Sequence, residues 1–181
     1  MDVFLRMFIW VVMLLGGSVL SLWLDWRWAH TLLVSPPFHL VTLVAGVFLL
    51  RWVLQVSRHT GRLLARQGRE GNIPRMETNR LVTTGVYACM RHPMHWGLLF
   101  FPWTVALILG SPFFIAVVAP LEMLFMLALI RFVEEPEAIR KFGVAYREYQ
   151  QQVPMFSLRL SCLRQLSGQA PAQGASDDST I

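Results

Sequence analysis

The sequence predicts an all-α integral membrane protein with about four transmembrane helices and a C-terminal cytoplasmic amphipathic helix. Of the 181 residues, 55% are hydrophobic and only 15% are charged. Soluble domains usually carry about a quarter charged residues. The mean hydropathy is +0.48, and the apolar residues are concentrated in four runs that polar segments separate. These observations together exclude an ordinary soluble domain.

Each of the four apolar runs is a candidate membrane span. The runs cover residues 3–24, 38–56, 94–109 and 112–133. The first, second and fourth have roughly the 17–25 residues that a helix needs to cross a bilayer. The third is shorter, so we expect it to extend into Gly110 or to lie where the bilayer is locally thin. The first run is long for a signal peptide and lacks a clear cleavage site, which predicts a retained span.

The arginine residues predict the orientation in the membrane. Seven arginines lie between the second and third runs and five basic residues follow the fourth, whereas the connection after the first run contains only Arg27. Cytoplasmic loops carry the excess of basic residues, so both termini and the arginine-rich connection are predicted to be cytoplasmic. The net charge of +5 then reflects topology and anionic lipid headgroups. Nucleic acid is not an expected partner, because the chain has no soluble basic domain.

The chain is predicted to form one membrane-embedded domain over residues 1–160, with its core motifs at 81–154. Residues 161–181 are rich in Gly, Ala, Ser, Gln and Asp, which predicts a disordered tail. The polar segment 63–80 contains glycines and a proline and predicts a loop. Cys89 and Cys162 both fall on the predicted cytoplasmic side, where thiols stay reduced, so a disulfide between them is not expected.

A polar motif precedes the third run: residues 91–97 read Arg-His-Pro-Met-His-Trp-Gly. Pro93 suits the first position of a helix, because its missing N–H has no partner there and its φ is already helical. Arg91 and His92 therefore lie beside the free backbone N–H groups at the start of a helix. Such a position favours the binding of an anionic group.

The turn Gly110-Ser111-Pro112 predicts that the third and fourth runs are antiparallel neighbours. His92 lies 18 residues before the first residue of this turn, and Glu134 lies 23 residues after its second. At about 1.5 Å per residue their depths differ by roughly one helical turn. We therefore expect His92 and Glu134 to meet. Adjacent helical residues point in different directions, so only one of Glu134 and Glu135 is expected to face the site directly.

An amphipathic helix is predicted after Pro136 and ends at Pro154. The apolar positions that recur at helical spacing are Ile139, Phe142, Tyr146, Tyr149 and Val153. Such a helix lies on the membrane surface or folds back over the polar site.

A carboxylate within the fourth run bears on catalysis. Glu122 lies near the middle of the fourth run, where a carboxylate is costly unless it faces a cavity or a partner, so it is a candidate catalytic residue. The alternative is a protonated carboxylate that is hydrogen-bonded between helices.

His92 and His95 are three residues apart without an evident third ligand. No metal site is therefore expected.

Four motifs in a fixed order resemble the integral-membrane methyltransferases. They are Leu-Val-Thr-Thr-Gly-Val-Tyr at 81–87, the motif at 91–97, the glutamate pair at 134–135, and Phe-Gly-x-x-Tyr-x-x-Tyr at 142–149. That group includes isoprenylcysteine carboxyl methyltransferases and phosphatidylethanolamine N-methyltransferases. The resemblance covers about half of the chain. Each motif alone is weak, but the ordered combination is specific, and the first two spans match only in hydrophobicity.

The resemblance implies S-adenosylmethionine as the cofactor, bound at the cytoplasmic ends of the helices. In this arrangement the segment 85–87 shapes the pocket, His92 contacts the cofactor, the glutamate pair contacts its polar groups, and the amphipathic helix covers it. The cofactor-binding residues that the resemblance implies are Gly85, Val86, Tyr87, Arg91, His92, Pro93, His95, Glu134, Glu135, Tyr146 and Tyr149. His95 stands where the family usually has tyrosine, which leaves the contact at this position and the substrate class open.

The expected reaction is methyl transfer to a lipophilic or membrane-partitioning acceptor, a lipid or a small molecule, at the cytoplasmic face. One alternative is an NADPH-dependent membrane reductase of the sterol-reductase kind, whose related motif reads His-Pro-Asn-Tyr-x-Gly-Glu. Here Met94, His95 and Leu98 replace its Asn, Tyr and Glu. Another alternative is a non-catalytic membrane protein that binds lipid or a partner, which leaves the polar residues unexplained. The acceptor atom (oxygen, nitrogen or sulfur) and the oligomeric state stay open.

Overall fold

A computed structural model describes residues 3–72 and 78–168 of the chain. All regular structure in these residues is helical. Three helices are long and apolar enough to cross a membrane, and they cover Leu5–Trp28, Pro36–Gln67 and Phe114–Phe142. A shorter apolar pair covers Pro93–Leu109. The predicted class, an all-α membrane protein, is confirmed.

The first half of the chain forms α1 (Val3–Trp28), the short α2 (His30–Leu33) and α3 (Pro36–Gln67). α1 exposes large apolar side chains such as Phe8 and Trp23, as expected of a helix that faces lipid. α3 continues to Gln67, so the predicted loop begins five residues too early. The reason is tertiary packing: Leu63 and Leu64 lie against the buried core, which stabilises the last helical turn.

The third run forms two helices, α4 (Pro93–Leu98) and α5 (Phe101–Leu109). Both pack on α3 through glycines. A Cβ atom at Gly97 would lie 3.0 Å from a Val56 methyl, and one at Gly46 would lie 2.9 Å from the Ile108 side chain. Small residues of this kind let membrane helices approach closely. Gly110 ends α5 at φ 62°, a left-handed conformation that favours glycine, and the hairpin to the fourth run follows.

The fourth run is one long helix with two π segments. It consists of the π segment Phe114–Val118, α6 (Ala119–Leu129), the π segment Ile130–Glu134 and α7 (Glu135–Phe142). Pro120 and Pro136 each lie two residues after a π segment. A proline ring clashes with the carbonyl four residues earlier, and the wider π turn relieves this clash without ending the helix. The second π segment therefore lies directly at the glutamate pair.

The amphipathic segment forms two helices rather than the single helix that the periodicity predicts. α7 ends at Gly143, which has φ 60° and ψ −129°, a conformation that side-chain-bearing residues avoid. α8 (Val144–Gln152) begins directly after this glycine. The apolar spacing continues across the glycine in sequence, so the periodicity alone could not reveal the break.

Two predictions about the C-terminal part are wrong. The predicted tail from residue 161 begins within a helix, α9 (Leu160–Leu166), whose Cys162 and Leu166 are buried in the core. The composition of residues 161–181 as a whole hides this short apolar stretch. Residues 169–181 lie outside the described residues. Cys89 and Cys162 form a disulfide, with their Cα atoms 5.6 Å apart. The two residues are 73 positions apart in the sequence, and only the packing of α9 against the core brings them together.

Candidate active site

Backbone hydrogen bonds position the 91–97 motif. The Arg91 N–H donates to the Pro154 carbonyl at 3.0 Å, and the His92 N–H donates to the Met155 carbonyl at 3.3 Å. Pro93 then begins α4, as predicted. The polar residues of the motif are thus held between the start of α4 and the chain that follows α8.

Glu135 is the most densely bonded side chain of this region, and it is only 1% exposed. Its Oε1 accepts hydrogen bonds from Arg91 Nε at 2.9 Å and Nη2 at 2.7 Å, and it lies 3.3 Å from His92 Nε2. Its Oε2 accepts from Gln150 at 3.0 Å and from Arg131 at 3.3 Å. Arg91 also donates to the Val153 carbonyl. Glu135 therefore joins the fourth span to α8 and to the motif.

Glu134 lies in a second polar cluster. Its Oε2 is 3.8 Å from His92 Nδ1, and its Oε1 is 3.2 Å from His95 Nε2 and 3.9 Å from Arg6 Nη1. Arg6 also pairs with Glu137 of the next turn. The expectation that His92 and Glu134 meet is confirmed by this geometry. Arg6 could not be predicted as a member of the site, because a lone arginine near the start of an apolar run is usually an interfacial residue.

The expectation of no metal site assumed that His92 and His95 have no third ligand, and Glu134 supplies one in this cluster. One ligand atom each of His92, His95 and Glu134 lies within 4.8 Å of the other two. The third ligand that the sequence did not reveal is thus present in space, supplied by a residue about forty positions away. Two histidines and a carboxylate are a set that divalent transition metals accept.

A cavity opens beside Glu134, and we call it the polar cavity after the charged and titratable side chains in its wall. The residues that line it are Leu64, Thr78, Arg80, Leu81, Val82, Tyr87, Arg91, His92, Pro93, Met94, His95, Glu134, Ala138, Phe142, Tyr146 and Tyr149. They include a carboxylate, cations and several aromatic rings. The cavity thus offers groups for both charges of a zwitterion and a surface for a flat ring.

The tyrosines of the polar cavity are hydrogen-bond donors. Burial raises the pKa of Tyr146 to about 12 and raises the pKa of Tyr87 and of Tyr149 above the ordinary tyrosine value. All three hydroxyls therefore stay protonated at neutral pH. The Tyr149 O–H donates to the Tyr87 carbonyl, which fixes α8 to the 3₁₀ turn Gly85–Ala88.

A second cavity, the apolar groove, lies between α1, α4 and the fourth span. The residues that line it are Arg6, Met7, Trp10, Val11, Met94, His95, Leu98, Met126, Leu129, Ile130 and Glu134. Three of them, Met94, His95 and Glu134, also line the polar cavity. The two cavities therefore meet at these side chains.

Most of the predicted site residues lie together. Those that line the polar cavity are Tyr87, Arg91, His92, Pro93, His95, Glu134, Tyr146 and Tyr149. Gly85 and Val86 belong to the 3₁₀ turn and are not among the lining residues. Glu135 also does not line the cavity, so Glu134 is the member of the pair that faces it. The sequence did not single out Arg80 or Phe142 as ligands, because Arg80 lies in the predicted loop and Phe142 was assigned to the apolar face of the amphipathic helix.

Glu122 is not brought to the site. It precedes Glu134 by twelve residues, roughly 18 Å along a helix axis. Its side chain is buried, neither carboxylate oxygen has a hydrogen-bond partner, and a Cβ atom on Gly17 of α1 would lie 3.2 Å from its Oε1. It lines neither the polar cavity nor the apolar groove. A catalytic role for Glu122 stays a prediction.

Comparison with known proteins identifies a family match for the chain. Residues 38–145 match the family model described as phospholipid methyltransferase. The match covers more than half of the 181 residues and includes most of α3, the 91–97 motif and the glutamate pair. No curated protein and no solved structure gives a significant match.

Proposed function

Because the chain belongs to the phospholipid methyltransferase family, we propose that it transfers a methyl group from S-adenosylmethionine to a lipophilic acceptor at the cytoplasmic membrane face. The family is one of membrane methyltransferases for lipid-like substrates, and the helices fit a membrane protein. The observation that carries the proposal is the position of Glu134, at the junction of a polar cavity and an apolar groove. A water-soluble donor and a lipid-like acceptor need such a junction.

The residues of the polar cavity fit S-adenosylmethionine. In this proposal the Glu134 carboxylate holds the ammonium group of the cofactor, and the Arg80 guanidinium holds its carboxylate. The aromatic rings of Phe142 and Tyr146 offer a surface for the adenine. When bound, this cofactor supplies a methyl group that its positively charged sulfur has already activated.

The contribution of the protein is then mainly to position two reactants and to exclude water. Holding two reactants in a reactive geometry can supply roughly 7–11 kcal/mol of the barrier reduction. Glu135 gives the necessary rigidity, because it fixes Arg91 and α8 to the end of the fourth span. α8 covers the cavity through Tyr146 and Tyr149, which limits the access of water.

The apolar groove suits the acceptor. Apart from its polar end at Arg6, His95 and Glu134, its walls are Met, Trp, Val, Leu and Ile side chains of α1, α4 and the fourth span. An alkyl chain gains about 0.8 kcal/mol for each buried methylene group, whereas a wholly polar acceptor gains little from such walls. An acceptor dissolved in the bilayer can enter the groove from the side.

A cytoplasmic position of the site is supported by the arginine distribution. Reporter fusions placed after residues near 30, 70 and 165 should report outside, inside and inside, because α1 and α3 each cross the membrane once. The pairing of Arg6 with Glu134 and Glu137 supports a common membrane face for the start of α1 and the site. An external signal from the fusion near residue 70 would contradict this topology and the access of a cytoplasmic cofactor.

Titration of the purified protein in detergent tests the proposal most directly. We expect S-adenosylmethionine and its demethylated product to bind, since both carry the ammonium and carboxylate groups that the cavity fits. NADPH should not bind. Binding of NADPH alone would favour the reductase alternative, and binding of none of the three would favour a non-catalytic protein. Methyl-labelled cofactor with a membrane extract then identifies the labelled product.

A further inference from the structure

A third cavity, the basic cleft, lies between α3 and the end of α9. The α3 residues that line it are Arg51, Leu54, Gln55, Arg58, His59 and Arg62, and Ser167 lines it from the other side. Leu64 lies two residues after Arg62 and lines the polar cavity instead. Residues two apart on a helix point in roughly opposite directions, so α3 separates the two cavities. The basic cleft shares no lining residue with the polar cavity or the apolar groove.

The arginines of the basic cleft have no carboxylate beside them. Within residues 3–72 and 78–168, no ion pair involves Arg51, Arg58 or Arg62, and no acidic side chain lines the cleft. Arg62 Nε donates to the Arg58 carbonyl at 3.0 Å. Like charges four residues apart destabilise a helix. A bound anion would offset this repulsion.

Arg51 lies deep for an arginine. It is five residues before the end of the second apolar run, 38–56, which is about 7.5 Å along a helix axis. An arginine within a membrane span is costly unless it pairs with another group or reaches the interface. Arg51 and Arg58 are seven residues apart in sequence but line one cleft. Their side chains therefore share a space near the end of the apolar run, where lipid headgroups lie.

The other wall of the basic cleft is attached to α3 by a hydrogen bond. The Gln55 side chain donates from Nε2 to the Ser167 carbonyl at 2.9 Å. At the opposite end of α9, Leu158 and Leu160 are 75% and 72% exposed and lie on either side of Arg159. Exposed apolar side chains next to a cation suit the headgroup region of a bilayer. This segment supports a position of the cleft at the membrane surface.

We propose that the basic cleft binds the anionic headgroup of a bilayer phospholipid, such as phosphatidylglycerol, through its phosphate. Arginine suits this ligand, because its planar guanidinium donates two parallel hydrogen bonds to phosphate oxygens. Arg51 and Arg58 are the phosphate ligands, and Arg62 adds positive charge. The lipid chains extend along the apolar part of α3, beginning at the exposed Leu54. This lipid is not the methyl acceptor, because α3 lies between the cleft and the polar cavity.

Two other sources of phosphate fit the basic cleft less well. A zwitterionic headgroup such as phosphocholine brings its own cation, which a cluster of arginines without a carboxylate repels. Free phosphate has no chains, so it gains nothing from the apolar surface beside the cleft. Basic pockets at the membrane surface are a known type of site for anionic headgroups. The inference concerns binding alone and does not depend on the proposed methyl transfer.

Native mass spectrometry of the whole chain in detergent measures the bound lipid directly. The probes are dioctanoyl phosphatidylglycerol, dioctanoyl phosphatidylcholine and inorganic phosphate, without a methyl donor. We expect phosphatidylglycerol to bind more tightly than the other two, by about tenfold or more. In the double variant Arg51→Gln with Arg58→Gln, its affinity should fall roughly tenfold to a hundredfold, as expected when charged hydrogen bonds to one phosphate are lost.

Arg66→Gln is the matched control. It removes the same charge one turn beyond Arg62, but Arg66 lines neither the basic cleft nor the polar cavity. Its affinity for phosphatidylglycerol should stay within about twofold of wild type. If the double variant does not fold, Arg58→Gln alone replaces it, because Arg58 is exposed; the expected loss is then about tenfold.

The inference is wrong if the two lipids bind alike, if the double variant keeps wild-type affinity, or if Arg66→Gln loses as much affinity as the double variant. Inorganic phosphate that binds as tightly as phosphatidylglycerol would also overturn it and would assign the cleft to a soluble anion. A folded double variant that no longer binds S-adenosylmethionine would contradict the separation of the two sites. The proposed function fails on a different result, a wild-type protein that binds the lipid but not S-adenosylmethionine.

Discussion

Replacing Glu135 with alanine should destabilise the protein by about 3–5 kcal/mol, which is the usual effect of removing one partner of a buried ion pair. Glu135 is 1% exposed and accepts two hydrogen bonds from Arg91. Its removal leaves the Arg91 guanidinium, which is 10% exposed, without its carboxylate. The contact to Gln150 of α8 is lost as well. Denaturant titration in detergent, followed by tryptophan fluorescence, measures the free energy of unfolding.

Glu148→Ala is the matched control, since Glu148 is an exposed glutamate on α8 and its loss should change the free energy by less than about 0.5 kcal/mol. A double variant, Arg91→Met with Glu135→Leu, removes both charges. It should recover part of the lost stability, because apolar residues of similar volume often replace a buried ion pair without loss. A change below about 1 kcal/mol for Glu135→Ala would contradict the central role of this ion pair.

Replacing Glu134 with glutamine should weaken S-adenosylmethionine binding roughly tenfold to a hundredfold while the protein still folds. A hydrogen bond to a charged group is worth about 1.5–3 kcal/mol, and in our proposal this carboxylate holds the ammonium of the cofactor. His92→Ala should have an effect of similar size, because His92 lines the same cavity. Calorimetric titration of the purified variants measures both affinities.

The control for this experiment is Glu137→Gln, one turn further along the same helix. Glu137 bonds to Arg6 but does not line the polar cavity, so cofactor affinity should stay within about twofold of wild type if the effect is local to Glu134. Wild-type affinity in well-folded Glu134→Gln and His92→Ala proteins would disprove a binding site built from the two helix ends.

The sequence predicted the parts of the fold and site that depend on helix geometry. A turn at residues 110–112 and a rise of about 1.5 Å per residue were enough to predict that His92 lies near Glu134. In the structure, His92 Nδ1 lies 3.8 Å from Glu134 Oε2. The start of α4 at Pro93 followed from backbone chemistry in the same way. Such predictions succeed because they need only the local conformation and one short connection.

The parts that the sequence could not predict depend on contacts between distant segments. Arg6 reaches Glu134 only because α1 packs beside the fourth span. The position of α9, which brings Cys162 to Cys89, is equally invisible in residue spacing. The two π segments arise from the response of a continuous helix to its prolines, where a sequence pattern predicts only a kink or a break. The helical periodicity of a sequence does not reveal contacts between distant segments or the positions of π segments.

The junction of the polar cavity and the apolar groove has a consequence for the kinetics of the proposed reaction. The two reactants come from different phases, so neither has to leave before the other binds, and a ternary complex is the expected intermediate. The fraction of enzyme with bound donor then depends on the molar concentration of the donor in the cytoplasm. The fraction with bound acceptor depends on the mole fraction of the acceptor in the bilayer. Diluting the acceptor with inert lipid would slow turnover at constant total acceptor, as for an enzyme that works on a surface.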